Sequence, residues 1–198
     1  NIEASKLVKI PDNISDQEAA AIMLKGMTVE YLVERLFKVK NNHTVLFHAA
    51  AGGVGLIACQ WLKEIGAKVI GTAGNTEKAS LAKENGCDEV ILYKEEDFVK
   101  KVRDITDNKG VDVVFDGVGK DTVIKGLDCL KPLGTMVVFG NSSGNCPPID
   151  PGLLASKGSL FLTRPTLMTY GTKKEDLIHS SKRVFDMLAS SKIKLEIN

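Results

Sequence analysis

The residues best placed to do chemistry in this chain are notable for how little side chain they carry. Ala49-Ala50-Ala51-Gly52-Gly53-Val54-Gly55 follows the apolar run Thr44–Phe47, and Leu56, Ile57, Cys59 and Gln60 continue it at helical spacing. A strand buried on both faces, a turn of small residues and a new helix leave the helix's first N–H groups without intrahelical acceptors. Small side chains let an anion reach that backbone, and the helix dipole favours negative charge there. Gly55 falls where the helix must pack closely against the strand. Tight strand-to-helix turns in ordinary α/β domains also use small residues. The flanking strand and helix, and the units that follow, favour a turn that holds the diphosphate of a dinucleotide.

A second group of residues bears on which dinucleotide. NAD-preferring sites place a carboxylate about 20 residues beyond the glycines, at the end of the second strand, to accept from the ribose hydroxyls. Here that place reads Gly71-Thr72-Ala73-Gly74-Asn75-Thr76, with no acid before Glu77. A 2′-phosphate meets no repulsion, Gly74 leaves room, and the Lys78 ammonium and Tyr93 hydroxyl are available to pair with it. The residues therefore favour NADPH, although Lys78 also reads as an ordinary solvated helix charge.

Other reactive side chains make no convincing constellation. Asp116 ends an apolar strand, where carboxylates more often bind ribose or cap the next helix than catalyse; His48 ends another and reads as a locally hydrogen-bonded histidine. Cys59, Cys87, Cys129 and Cys146 are widely spaced with no C-x-x-C pair, and His43, His48 and His179 are scattered among them, so buried reduced thiols are expected and no metal.

These residues need elements to hold them. Past Pro11, Ser15 and Glu18 form a helix start, and apolar faces over 19–24 and 29–37, interrupted at Gly26, predict a pair of lead-in helices within 12–40. From Thr44 the chain alternates strand and helix. Strands are expected at 44–47, 68–73, 89–93, 111–116, 135–139 and 159–163, with helices at 77–85, 95–106, 121–130 and 174–189. This predicts an α/β fold, a Rossmann-type doubly wound parallel sheet flanked by helices, with the ligand where strand order reverses. The loop 141–151, rich in Ser, Gly and Pro, follows a strand's carboxyl end and is expected to touch cofactor or substrate.

The 198 residues are 43% hydrophobic and 26% charged with a formal net charge of +1, which suits one ordinary folded domain and argues against disorder or a nucleic-acid-binding surface. No run approaches the roughly 20 apolar residues of a membrane helix and no secretory leader opens the chain, so a cytoplasmic location is expected. The chain starts at Asn1 without an initiator Met, which suggests a piece of a longer protein.

The stretch from Phe47 to Trp61, with Phe139-Gly140-Asn141-Ser142-Ser143-Gly144 and Gly158-Ser159-Leu160-Phe161-Leu162-Thr163-Arg164-Pro165, resembles bacterial NADPH:quinone oxidoreductases. These are the zinc-free, zeta-crystallin-like branch of the medium-chain dehydrogenase/reductases. The resemblance covers essentially the whole chain but only that family's cofactor-binding domain; the GroES-like catalytic domain is expected to lie outside it. It implies that Ala51, Gly52, Gly53 and Val54 hold the diphosphate and that Gly74, Lys78 and Tyr93 hold the 2′-phosphate. It further places Thr28, Phe139, Gly140, Asn141 and Ser142 near the nicotinamide and Val118 on the ribose side.

The implied reaction passes reducing equivalents from NADPH to a quinone bound between two domains, so this chain by itself is expected to bind NADPH and turn over little quinone. The resemblance also implies a homodimer joined through the edge strand 159–163. Two rivals stand beside this reading: an enoyl-thioester or alkenal reductase of the same superfamily, and a non-catalytic NADPH-binding protein of crystallin-like or RNA-binding type. The balanced charge makes nucleic acid the weaker of these.

Overall fold

Val45, Leu46 and Phe47 are all buried, so the strand they form has no face to give to water and must be covered on both sides. The computed structural model describes residues 1–195 and 197, and it divides the chain into two compact units, 39–165 and 1–38 with 166–198.

The first unit is built on a six-stranded sheet: β1 (Thr44–Phe47), β2 (Lys68–Ala73), β3 (Glu89–Leu92), β4 (Val111–Asp116), β5 (Leu130–Val138) and β6 (Phe161–Thr163). The order is β3-β2-β1-β4-β5-β6 and every pairing is parallel, with Phe47 in register with Gly71 on one side and Phe115 on the other. This is the doubly wound arrangement expected, and its order reverses between β1 and β4. Alternate residues serve opposite faces. Leu46, Ile70, Val114 and Met136 join one core with Phe98 and Val102 of a helix at Phe98–Ile105. Phe47 and Phe115 face the other way, their rings 5.8 Å apart.

Several boundaries differ from expectation, and the helix expected at 95–106 begins only at Phe98, where Asp97 caps it. The helix expected at 121–130 is one turn, Val123–Gly126, followed by a 3-10 turn, Leu127–Cys129, because the chain enters β5 at Leu130, five residues earlier than expected. Leu130 pairs with Val111, and the β4/β5 register shifts before the regular pairing resumes at Val113 and Thr135. The edge strand is three residues, 161–163, rather than 159–163, since Ser159 takes a left-handed φ of 56° that no strand accommodates. A short helix, Pro151–Ser156, ends the loop 141–151, with Asp150 accepting from the Gly152 N–H.

The second unit opens its first helix, Asp16–Glu30, with the capping box expected: Ser15 accepts from the Glu18 N–H and Glu18 from the Ser15 N–H. The expected break at Gly26 is absent. The helix runs through Gly26, where a Cβ would sit 2.7 Å from Val184 Cγ1 of the helix Lys174–Ala189, so that glycine permits close helix packing. In place of a second lead-in helix, the same axis continues as π-helix over Tyr31–Leu36. The wider turn lets Arg35 Nε approach the fully buried Glu30 carboxylate to 3.0 Å, and Tyr31 stacks on Tyr170 at 4.5 Å. Thr28 lies in the first helix with its hydroxyl donating to Leu24 O, the local bond an ordinary helical threonine makes.

Candidate functional site

The turn after β1 is fastened from beneath by its neighbours. His48 N–H donates to Phe115 O, Ala49 N–H to Thr72 Oγ1 and Ala50 N–H to Thr72 O. Ala49 is left-handed at φ 56°, a conformation that favours glycine. Gly52 is the N-cap of the helix Gly53–Ile65 and offers no side chain to its first turn. A Cβ on Gly55 would stand 2.5 Å from both the Ala49 and Ala50 carbonyl oxygens, so the helix and the turn touch backbone to backbone. Among the described residues, no acceptor faces the N–H groups of Ala51, Gly53 or Val54. An anion seated there satisfies them.

From this turn a cleft of about 200 Å³ runs across the carboxyl ends of β2 and β3, from Ala51 and Gly52 to Gly74, Asn75, Lys78, Tyr93 and Lys94. Asn75 caps the helix Thr76–Glu84, its Oδ1 accepting from the Lys78 N–H at 2.9 Å. A side chain at position 74 would crowd the Tyr93 hydroxyl, 3.2 Å from where its Cβ would be. Neither Lys78 nor Lys94 makes an ion pair among the described residues.

A larger cleft of about 470 Å³ shares Ala49, Thr72 and Tyr93 with the first and extends past Phe98 to Val118, Thr122, Lys125, Ser142 and Ser143. It opens at the point where strand order reverses. Its far wall is two loops that brace each other. Asp116 Oδ1 accepts from the Val118 and Gly119 N–H groups at 2.7 and 3.0 Å, and Thr122 donates to Oδ2 at 2.7 Å. Ser143 Oγ donates to Val118 O and accepts from the Asp121 N–H. With its oxygens engaged this way, Asp116 is a loop cap, as its place in the sequence suggests.

His48 is also local. It is buried, its Nδ1 lies 3.1 Å from Thr72 Oγ1, and its ring meets Phe98 edge-on at 5.0 Å. Burial holds its pKa below the ordinary value, with the Asp116 charge partly opposing, so the imidazole is neutral. The four cysteines are unbridged, and burial pushes the Cys129 thiol up to about 12. Among the described residues no group of three or more His, Cys, Asp or Glu is placed to hold a metal ion.

The zinc-binding dehydrogenase family matches residues 53–182, from the helix that follows the turn to the middle of the last long helix. The chain belongs to that family. As a zinc-binding dehydrogenase family member it is 50% identical to the quinone oxidoreductase of Salmonella typhimurium over 197 residues, all of this chain and 60% of that protein. It is 46% identical to a 2-haloacrylate reductase of a Burkholderia species, over 92% of this chain and 56% of the relative. The crystal structure of Escherichia coli quinone oxidoreductase complexed with NADPH superposes with a TM-score of 0.95 at 48% identity, over 98% of this chain and 60% of that one. The chain thus spans about 60% of the length of the curated quinone oxidoreductases it matches.

Within this family member, the residues singled out from the sequence fall into separate groups. Ala51, Gly52, Gly74, Lys78 and Tyr93 line the smaller cleft, with Gly53 and Val54 in the adjoining first turn of helix. Val118 and Ser142 line the larger one. Phe139, Gly140 and Asn141 line neither: Phe139 packs on Phe47 at 5.7 Å, Gly140 lies against Gly117, and Asn141 Nδ2 donates to Asn145. Thr28 belongs to the other unit. Sequence reasoning missed Asn75, a cap recognisable from its place two residues beyond β2, and Lys94, whose relevance depends on β3 pairing beside β2.

Proposed function

We propose that this chain is the NADPH-binding part of a zinc-independent quinone oxidoreductase that passes reducing equivalents from NADPH to a quinone. The observation that carries the reading is one continuous cleft with unpaired backbone N–H groups at one end and unpaired lysines, but no carboxylate, at the other. A diphosphate bearing an adenosine 2′-phosphate has that distribution of charge. The similarity to quinone oxidoreductases, one of them crystallised with NADPH, supports it.

In this reading the backbone of Ala51, Gly52, Gly53 and Val54 holds the diphosphate. Gly74, Lys78 and Tyr93 hold the 2′-phosphate, and Val118 lies on the ribose side. Thr28, Phe139, Gly140, Asn141 and Ser142 take their nicotinamide-side role from the family resemblance. NADPH when bound supplies a hydride from C4 of its nicotinamide; the chain's own contribution is orientation and exclusion of water. A quinone is already a ready electron acceptor, so polarisation by a Lewis-acid metal is not needed, which supports zinc independence.

The rest of the relatives' length supplies the other wall of the quinone pocket in this proposal, so the 198 residues bind NADPH and turn over little quinone alone. The exposed Phe161 and Leu162 on the edge strand support a homodimer, which light scattering would contradict by finding a monomer. Unbridged thiols suit the reducing cytoplasm.

Lys78→Glu tests the assignment. Fluorescence titration is expected to show NADPH affinity reduced about ten- to a hundredfold, the worth of one charged hydrogen bond replaced by repulsion, with NADH unaffected. Unchanged NADPH affinity counts against the pocket. The 2-haloacrylate reductase relative favours a second reading, reduction of an activated C=C bond, and turnover of quinones against enoyl substrates by the longer protein separates the two.

A further inference from the structure

We infer that Lys94 is a second cation for the 2′-phosphate, so that selection of NADPH over NADH rests on Lys78 and Lys94 together. This deepens the NADPH reading and rests on it.

β3 lies parallel beside β2, with Leu92 paired to Ala73, so the residues that follow the two strands emerge side by side. Tyr93 and Lys94 thereby flank Gly74 from one direction, while Lys78 reaches the same cleft from the first turn of the next helix. A Cβ on Gly74 would lie 3.6 Å from Lys94 Cε and 3.2 Å from the Tyr93 hydroxyl. The missing side chain at position 74 therefore leaves room for the Tyr93 hydroxyl, and the Lys94 stem lies in contact range beside it.

An ordinary surface lysine in the sequence Lys94-Glu95-Glu96-Asp97 would be expected to find a carboxylate close by, and two of these acids are committed elsewhere. Glu96 pairs with Lys101 at 2.8 Å and accepts from the Leu92 N–H, and Asp97 accepts from the Val99 and Lys100 N–H groups as a helix cap. Lys94 is left as an unpaired positive charge at a cleft that already holds another. A phosphate monoester carries about −1.5 to −2 at neutral pH, more than one ammonium neutralises. Two lysines match it.

The test is nucleotide titration of the intact chain and its Lys94→Met, Lys78→Met and double variants with NADPH and NADH, followed by nucleotide fluorescence. The Lys94→Met change is expected to weaken NADPH about tenfold while NADH stays within about twofold and the thermal midpoint is unmoved. Lys94→Arg is expected to retain the preference. If Lys94→Met leaves NADPH affinity intact, or weakens both nucleotides equally, while Lys78→Met erases the preference, Lys94 has no part in reading the phosphate. If the unmodified chain binds neither nucleotide, or both equally well, the NADPH reading itself fails and this inference with it.

Discussion

The two ends of the smaller cleft are built in opposite ways. At the β1 end the ligand-facing groups are backbone N–H donors, fixed by bonds from Ala49 and Ala50 to Thr72 and by the contact between Gly55 and the turn above it. At the β2/β3 end they are the ends of flexible side chains, Lys78, Tyr93 and Lys94, arranged around a glycine. At the first end a side chain added at Gly55 disturbs the fold itself. The second can be rewritten residue by residue. A diphosphate is common to all pyridine dinucleotides and suits a rigid grip, whereas the 2′-phosphate is what varies and suits an adjustable one.

Gly55→Val strikes the rigid end hardest. Any side chain there meets two carbonyl oxygens that have nowhere to go, so the helix must lift off the turn, at a cost of about 3 kcal/mol in urea denaturation. NADPH and NADH binding should be lost together. Set beside Lys78→Glu, which is expected to spare both stability and NADH, this variant breaks the comparison if it keeps either nucleotide.

How much of this contrast was legible in the sequence follows the same division. β1, β2 and β4 fall where their apolar runs lie, and the Ser15/Glu18 capping box formed as read, because burial on both faces and capping are local patterns. The turn was legible for the same reason: close backbone approach excludes side chains, and missing side chains show in a sequence. Gly26 was misread as a break because its reason is Val184, far along the chain. Lys94 went unnoticed because only the β2/β3 pairing gives it a neighbour in Lys78. The early start of β5 at Leu130 runs through Pro132 and Gly134, which locally read as turn.

A smaller effect comes from the buried group beneath the rigid end. His48 is neutral when folded because burial lowers its pKa, while in the unfolded chain it takes a proton near pH 6.5. Just below that pH the unfolded state binds more protons than the folded one, so stability rises with pH there. The contribution is fully present above about pH 6.5 and is lost as pH falls through the folded imidazole's lower pKa. His48→Leu should flatten this part of the profile when denaturation midpoints are compared between about pH 5 and 7.5.

The smallest expected effect is an improvement at the rigid end. Ala49 holds a left-handed φ of 56°, which costs a residue with a Cβ about 1–2 kcal/mol relative to glycine. Ala49→Gly removes that strain but gives the unfolded chain more freedom, which takes back about 0.4–1 kcal/mol. Because Ala49 is exposed, little packing is lost with its methyl group. The difference favours the folded state by about 0.5 kcal/mol, readable as a small rise in urea midpoint with no change in slope. Nucleotide affinity should be unchanged, because Ala49 N–H and Ala50 N–H remain tied to Thr72 whatever the side chain at position 49. A loss of stability would mean that the turn is held by the Ala49 methyl rather than by its backbone bonds, and the contrast between the two ends of the cleft would lose its physical basis.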